Sequence, residues 1–140
     1  MLKKMLAVLL ITITLCTSNS TNTFANDPGG ITITPFWNYT MTTHAVLSIS
    51  SSGSANAYAH MMSNPNEIDK TNISMTLYKQ NSVGSWQSVK SWNESSNSFV
   101  MALDKYHNVS SGYYKLVVDF KSYSGSTLKE TVSTTVYRSY

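Results

Sequence analysis

The chain has 140 residues, 41% of them apolar and only 12% charged, a length that supports one small domain with its own core. Its formal charge of +3 misleads, because two of the ten Lys and Arg, Lys3 and Lys4, belong to an N-terminal leader; without it eight cations face seven acids. Such a near-neutral chain has no electrostatic footprint for nucleic acid and no polybasic run for an anionic membrane, so neither partner is expected.

The leader itself is specific. Lys3-Lys4 is a short positive start, and residues 5–15 (MLAVLLITITL) form an apolar run too short to span a bilayer. Thr23-Phe24-Ala25 then offers small residues at the two positions a signal peptidase reads. We therefore expect residues 1–25 to be a helical secretory signal peptide, cut between Ala25 and Asn26. The mature protein, residues 26–140, would be extracellular and without a transmembrane segment. Cys16, the one cysteine, sits in the leader; Leu15 before it stands where bacterial lipoproteins carry a small residue, which argues against lipid anchoring. The mature domain would then be disulfide-free, with its stability coming from burial alone.

Beyond the leader, Ser, Thr, Asn and Tyr dominate and no long 3.6-residue periodicity occurs, so strands and turns are expected throughout. Residues 26–34 read as a flexible lead, and Pro35 places the extended stretch 31–41 at an edge or bend. Ala45, Leu47 and Ile49 alternate with polar neighbours. Gly53 breaks the chain, and Ala55, Ala57, Ala59 and Met61 form the next inward row. A turn is expected over residues 63–66. Ile73, Met75 and Leu77 follow, ended by Asn81-Ser82-Val83-Gly84, and Trp86 to Trp92 returns as the hairpin partner. Residues 93–97 read as a polar turn. Phe99, Met101 and Leu103 make another inward set. Tyr114, Leu116, Val118 and Phe120 form the cleanest alternation, with Lys115, Asp119 and Lys121 on the opposite face. Ser124-Gly125-Ser126 is a turn, and the last strand turns Val132 and Val136 inward.

Seven principal strands in a chain of this size predict an antiparallel, immunoglobulin-like β-sandwich. Two details sharpen this. Tyr114 follows Ser110-Ser111-Gly112-Tyr113 near the start of the penultimate strand, the position of a tyrosine corner. Trp86, Ser88, Lys90 and Trp92 share one parity and Val89 the other, a conflict that a β-bulge would resolve.

The order LSISSSG, an Ala-rich strand, ISMTLYKQNSVGSWQSVKSW, SSGYYKLVVDF and KETVSTTV resembles small secreted immunoglobulin- or fibronectin-like β-sandwich proteins of Gram-positive bacteria, a domain of unknown function. The resemblance covers most of the mature chain. It implies an extracellular sandwich and supplies no catalytic or binding residue.

Chemistry is sparse. His44, His60 and His107 lie far apart, and no Gly-x-Ser-x-Gly elbow, Cys pair, His-x-His or calcium-loop pattern occurs. The residues 64–69 loop (NPNEID) clusters oxygens, but Asn and Asp ordinarily cap turns in this way. No catalytic residue, cofactor or metal is therefore expected. Four Asn-x-Ser/Thr sequons are ordinary in so Asn- and Ser-rich a chain. The remaining signal is aromatic: nine tyrosines and three tryptophans occur in the chain. Tyr58, Tyr78, Tyr113, Tyr123 and Tyr137 fall on the parity opposite their strands' apolar sets, and so does His60. These six residues are the candidate binding face, since rings turned to solvent offer rigid contact area; the same rings could instead serve as cross-strand pairs that stabilise the sheet. The expected function is a non-catalytic binding module for an envelope polymer or extracellular protein. The alternatives are a small hydrolase whose site assembles only on folding, and a secreted toxin, inhibitor or pore-former. A chain lacking residues 1–25 should be soluble and fully folded by circular dichroism; if it precipitated, the apolar segment would belong to the fold.

Overall fold

The computed structural model describes residues 38–140. The leader, the Ala25/Asn26 cleavage point, the lead over residues 26–34 and the stretch around Pro35 lie outside the described residues. Seven strands follow: β1 (Thr40–Ile49), β2 (Ser54–Ser63), β3 (Lys70–Gln80), β4 (Trp86–Ser96), β5 (Val100–Asn108), β6 (Tyr113–Ser124) and β7 (Thr127–Ser139). Sheet A has the order β1-β2-β5 and sheet B the order β4-β3-β6-β7, all pairs antiparallel. The protein is an all-β sandwich, as the alternation predicts. Its fourth strand joins β3 in sheet B, whereas a constant-type immunoglobulin domain keeps its fourth strand with the first sheet.

The core explains the pairing. Sheet A turns a row of small side chains inward, Ala45, Ala55, Ala57 and Ala59, all buried. Sheet B answers with large ones: Ile73, Met75, Leu77, Leu116, Val118 and Phe120 are completely buried. Small against large lets the two sheets approach and interdigitate. Each fully buried Leu, Ile or Phe contributes roughly 1.5–3 kcal/mol by leaving water. Among the described residues there is no cysteine, so this burial stabilises the sandwich without a covalent staple.

Two poles close the ends of the sandwich. At one, the buried Tyr114 donates its hydroxyl to the carbonyl of Ser110, 2.5 Å away and four residues upstream, making the expected tyrosine corner. Gly53 in the β1–β2 turn has φ +81°, and an added Cβ would lie 2.6 Å from the Val109 carbonyl oxygen. Val109 also donates its N–H to Gly53 at 2.8 Å, so this turn admits only glycine. At the other pole the hydroxyls of Thr40, Ser122 and Ser63 form a buried chain at 3.0 and 2.8 Å. Beside it the Glu130 carboxylate accepts the backbone N–H groups of Asn38, Tyr39 and Thr40 at 3.0, 3.2 and 2.7 Å, tying the entering chain to β7.

Three expectations need correction. Residues 93–97 are not a turn, because β4 continues to Ser96. The Asn72 side chain donates to Asn93, to the Glu94 carbonyl and to Ser95, so polar residues extend this edge strand where no apolar alternation marks it. Phe99 is not part of the buried row; it precedes β5 and is half-exposed, its carbonyl accepting the Ser63 N–H at 2.8 Å. Ser63 in turn closes β2 rather than opening a turn, and is fully buried.

Two substitutions separate the core from the corner. Leu116→Asp should abolish folding, since it places an unpaired charge between the sheets. Tyr114→Phe keeps the ring and should cost about 1–2 kcal/mol, the hydrogen bond and the stranded carbonyl. Urea unfolding checks both; an aspartate variant with unchanged midpoint would refute the inward assignment of Leu116.

Candidate functional site

The site is decided by an irregularity in β4. Leu77 pairs with Lys90 but Tyr78 pairs with Ser88, so Val89 is the extra residue of a β-bulge. The bulge separates the two tryptophans. Trp92, opposite Met75, turns inward and packs on the core. Trp86, opposite Gln80, turns outward onto the exposed face of sheet B.

There it meets the candidate tyrosines. Leu77, Tyr114 and Val136 are buried, so alternation turns Tyr78, Tyr113 and Tyr137 to the outside. Trp86 lies with its ring centroid 5.7 Å from Tyr113 and 6.0 Å from Tyr137. Tyr113 and Tyr137, diagonal neighbours across β6 and β7, stack at 6.0 Å with planes 15° apart. Lys115 sits among them, its Nζ 4.7 Å from the centre of the Trp86 ring and 5.2 Å from that of Tyr78. Each ring pair contributes about 0.5–1.5 kcal/mol beyond its area, and each cation–π contact about 0.5–1 kcal/mol at an exposed site. The cluster therefore holds itself in place through its own contacts. It also stays open: Tyr113 is 41% and Tyr137 42% exposed.

The other candidates stand elsewhere. Tyr123 is on the same outer face but at the opposite end of β6, with Lys70 Nζ 5.5 Å from its ring. Tyr58 and His60 lie on the outer face of sheet A; His60 pairs across with His44 and Ala102, and His44 meets Tyr58 edge-on at 6.0 Å. The six expected residues thus fall into three groups, of which Tyr78, Tyr113 and Tyr137 form one contiguous patch. Trp86 and Lys115 complete that patch. The parity conflict around Val89 was the signal for Trp86; Lys115 becomes recognisable only when β4 and β6 are known to flank β3.

Among the shallow hollows of the described residues, one is lined by Ser48, Ile49, Ser50, Ser54, Asn56 and Tyr106 and another by Asp69, Lys70, Asn97 and Gly125. Neither contains a histidine. Among the described residues no group of three or more His, Cys, Asp or Glu is placed to hold a metal ion. In the loop of residues 64–69, Asn64 Oδ1 accepts the Asn66 N–H at 3.0 Å, and both Asp69 oxygens accept the Gly125 N–H at 2.9 and 3.0 Å. These oxygens cap turns, the ordinary use of Asn and Asp in loops. No family model matches the chain, and no curated protein matches it either.

Lys115→Met, which keeps the stem and removes the charge, should cost only about 0.5–1 kcal/mol. Urea unfolding followed by tryptophan fluorescence measures this; a loss above about 3 kcal/mol would mark Lys115 as a structural rather than a surface residue.

Proposed function

We propose that this protein is a secreted, non-catalytic binding module that presents the outer face of sheet B to a partner at or outside the cell envelope. One observation carries the reading: Trp86, Tyr113 and Tyr137 form a mutually packed ring cluster on the outer face of sheet B, with both tyrosines exposed and Trp86 half-buried. The three rings stand outside the core, on the outer face of sheet B. Their cross-strand contacts stabilise the sheet, and their exposed faces remain for a ligand. Rigid rings lose little conformational entropy on binding, so the cluster is suited to recognition. Export fits the same reading: the Lys3-Lys4 start, the apolar run and Ala25 form a secretion signal, and the domain it precedes uses no thiol. The resemblance to small secreted β-sandwich proteins of Gram-positive bacteria points to the same compartment.

The test is a paired glycan and protein array probed with the purified protein and with a Trp86→Ala, Tyr137→Ala double variant. The wild type should bind at least one class of spot. The variant should lose that binding by about tenfold or more, the scale of losing one or two stacking contacts, while keeping its fold by circular dichroism. A wild type that binds nothing on either array, or a folded variant that binds equally well, would overturn the reading.

A further inference from the structure

The outer face of sheet B carries more than the ring cluster, and its charges are unevenly shared. Alternation along β3 and β6 turns Lys70, Lys115 and Lys121 outward, against one carboxylate, Asp119. Asp119 already accepts the Ser133 hydroxyl at 2.5 Å. The one ion pair among the described residues joins Lys105 to Glu94, so none of the three lysines of this face is neutralised. The outer face of sheet A, in contrast, turns Asp104 outward and no Lys or Arg. A chain that is near-neutral as a whole thus concentrates unpaired positive charge on the face that bears the rings.

The face is also long and repeats its chemistry. Lys115 lies against Trp86 and Tyr78 at one end, and Lys70 lies against Tyr123 at the other. Tyr123 is eight residues beyond Lys115 on β6, about 26 Å at roughly 3.3 Å per residue. Between them the rows Thr76, Val117, Thr135 and Ser74, Asp119, Ser133 present mostly hydroxyls. Ring, hydroxyl lane and ring, with cations along the way, match a linear polymer of sugar rings. The apolar face of a pyranose stacks on an aromatic ring, its hydroxyls bond to Ser and Thr, and its acidic substituent meets an ammonium.

We infer that this face binds an acidic polysaccharide, laid along β3 and β6, with pyranose rings on Trp86, Tyr113 and Tyr137 and on Tyr123, and with its carboxylates or sulfates at Lys115, Lys121 and Lys70. The inference rests on the reading of sheet B as a binding surface and adds the chemical class of what it binds. A protein partner would want an apolar centre, and this face offers only Val117 between its ends. Single-stranded nucleic acid also stacks on rings beside cations, but it has no use for a lane of hydroxyls and prefers a denser positive track.

Affinity electrophoresis and calorimetry with a polyuronate, heparin, a neutral chitin oligosaccharide and oligo-dT test the assignment. The polyuronate or heparin should bind at least tenfold more tightly than the neutral oligosaccharide and than oligo-dT, and that binding should weaken about tenfold between 50 and 200 mM salt. Lys115→Met with Lys121→Met should erase the acidic preference and leave weak neutral binding, whereas Trp86→Ala with Tyr137→Ala should remove both. A polyuronate binding better than heparin assigns carboxylates, and the reverse assigns sulfates. Equal or tighter binding of the neutral sugar, tighter binding of oligo-dT, or an unchanged lysine variant would overturn the inference while leaving the module intact if the ring variant still loses its ligand. Loss of all array and polymer binding by the wild type would overturn both.

Discussion

Everything in this molecule follows from the contact between a row of alanines and a row of large side chains. Ala55, Ala57 and Ala59 on β2 leave the room that Ile73, Met75, Leu77, Leu116, Val118 and Phe120 fill from sheet B. A one-residue slip of β6 would bring Lys115, Asp119 and Lys121 between the sheets and put Leu116, Val118 and Phe120 into water. That slip is prohibitively costly, so the register is fixed, and with it the identity of every residue on the outside. Tyr113 and Tyr137 face solvent because Tyr114 and Val136 cannot. The exposed face of sheet B is thus set by the core beneath it.

Edge strand β4 shows where this logic needs a correction and how the chain supplies one. A strict alternation would have kept Trp86 and Trp92 on the same side. The bulge at Val89 lets the strand satisfy both demands, one indole sealing the open flank of the core and the other extending the ring cluster. It also interrupts the regular ladder of an edge, a feature that discourages edge-to-edge pairing with another chain.

How far the sequence could be read follows from the same physics. The strongest alternation, Tyr114 to Phe120, was legible because both of its faces are chemically distinct, and the tyrosine corner because a glycine and an inward apolar position bracket Tyr114. Seven strands and a sandwich were legible for similar reasons. The far half of β4 was not: residues 93–95 are held by the Asn72 side chain on the neighbouring strand, and a polar edge held by a partner has no periodicity of its own. The grouping of the tyrosines was not legible either. Parity assigns Tyr58 and Tyr78 to outer faces, but only the strand order reveals that these faces belong to opposite sheets. Lys115 reads along the chain as an ordinary solvent-facing lysine; its place beneath Trp86 depends on two strands that are not adjacent in sequence order.

Glu130 has a consequence beyond its three hydrogen bonds. Its carboxylate fixes the point where the chain enters the sandwich, beside the buried hydroxyls of Thr40, Ser63 and Ser122. Trp86, Tyr113 and Tyr137 stand at the opposite pole. The domain therefore has an entry end and a ring-bearing end, and β3 and β6 run between them. Within the described residues the rings lie at the end farthest from Asn38, as the head of a pin lies away from its point.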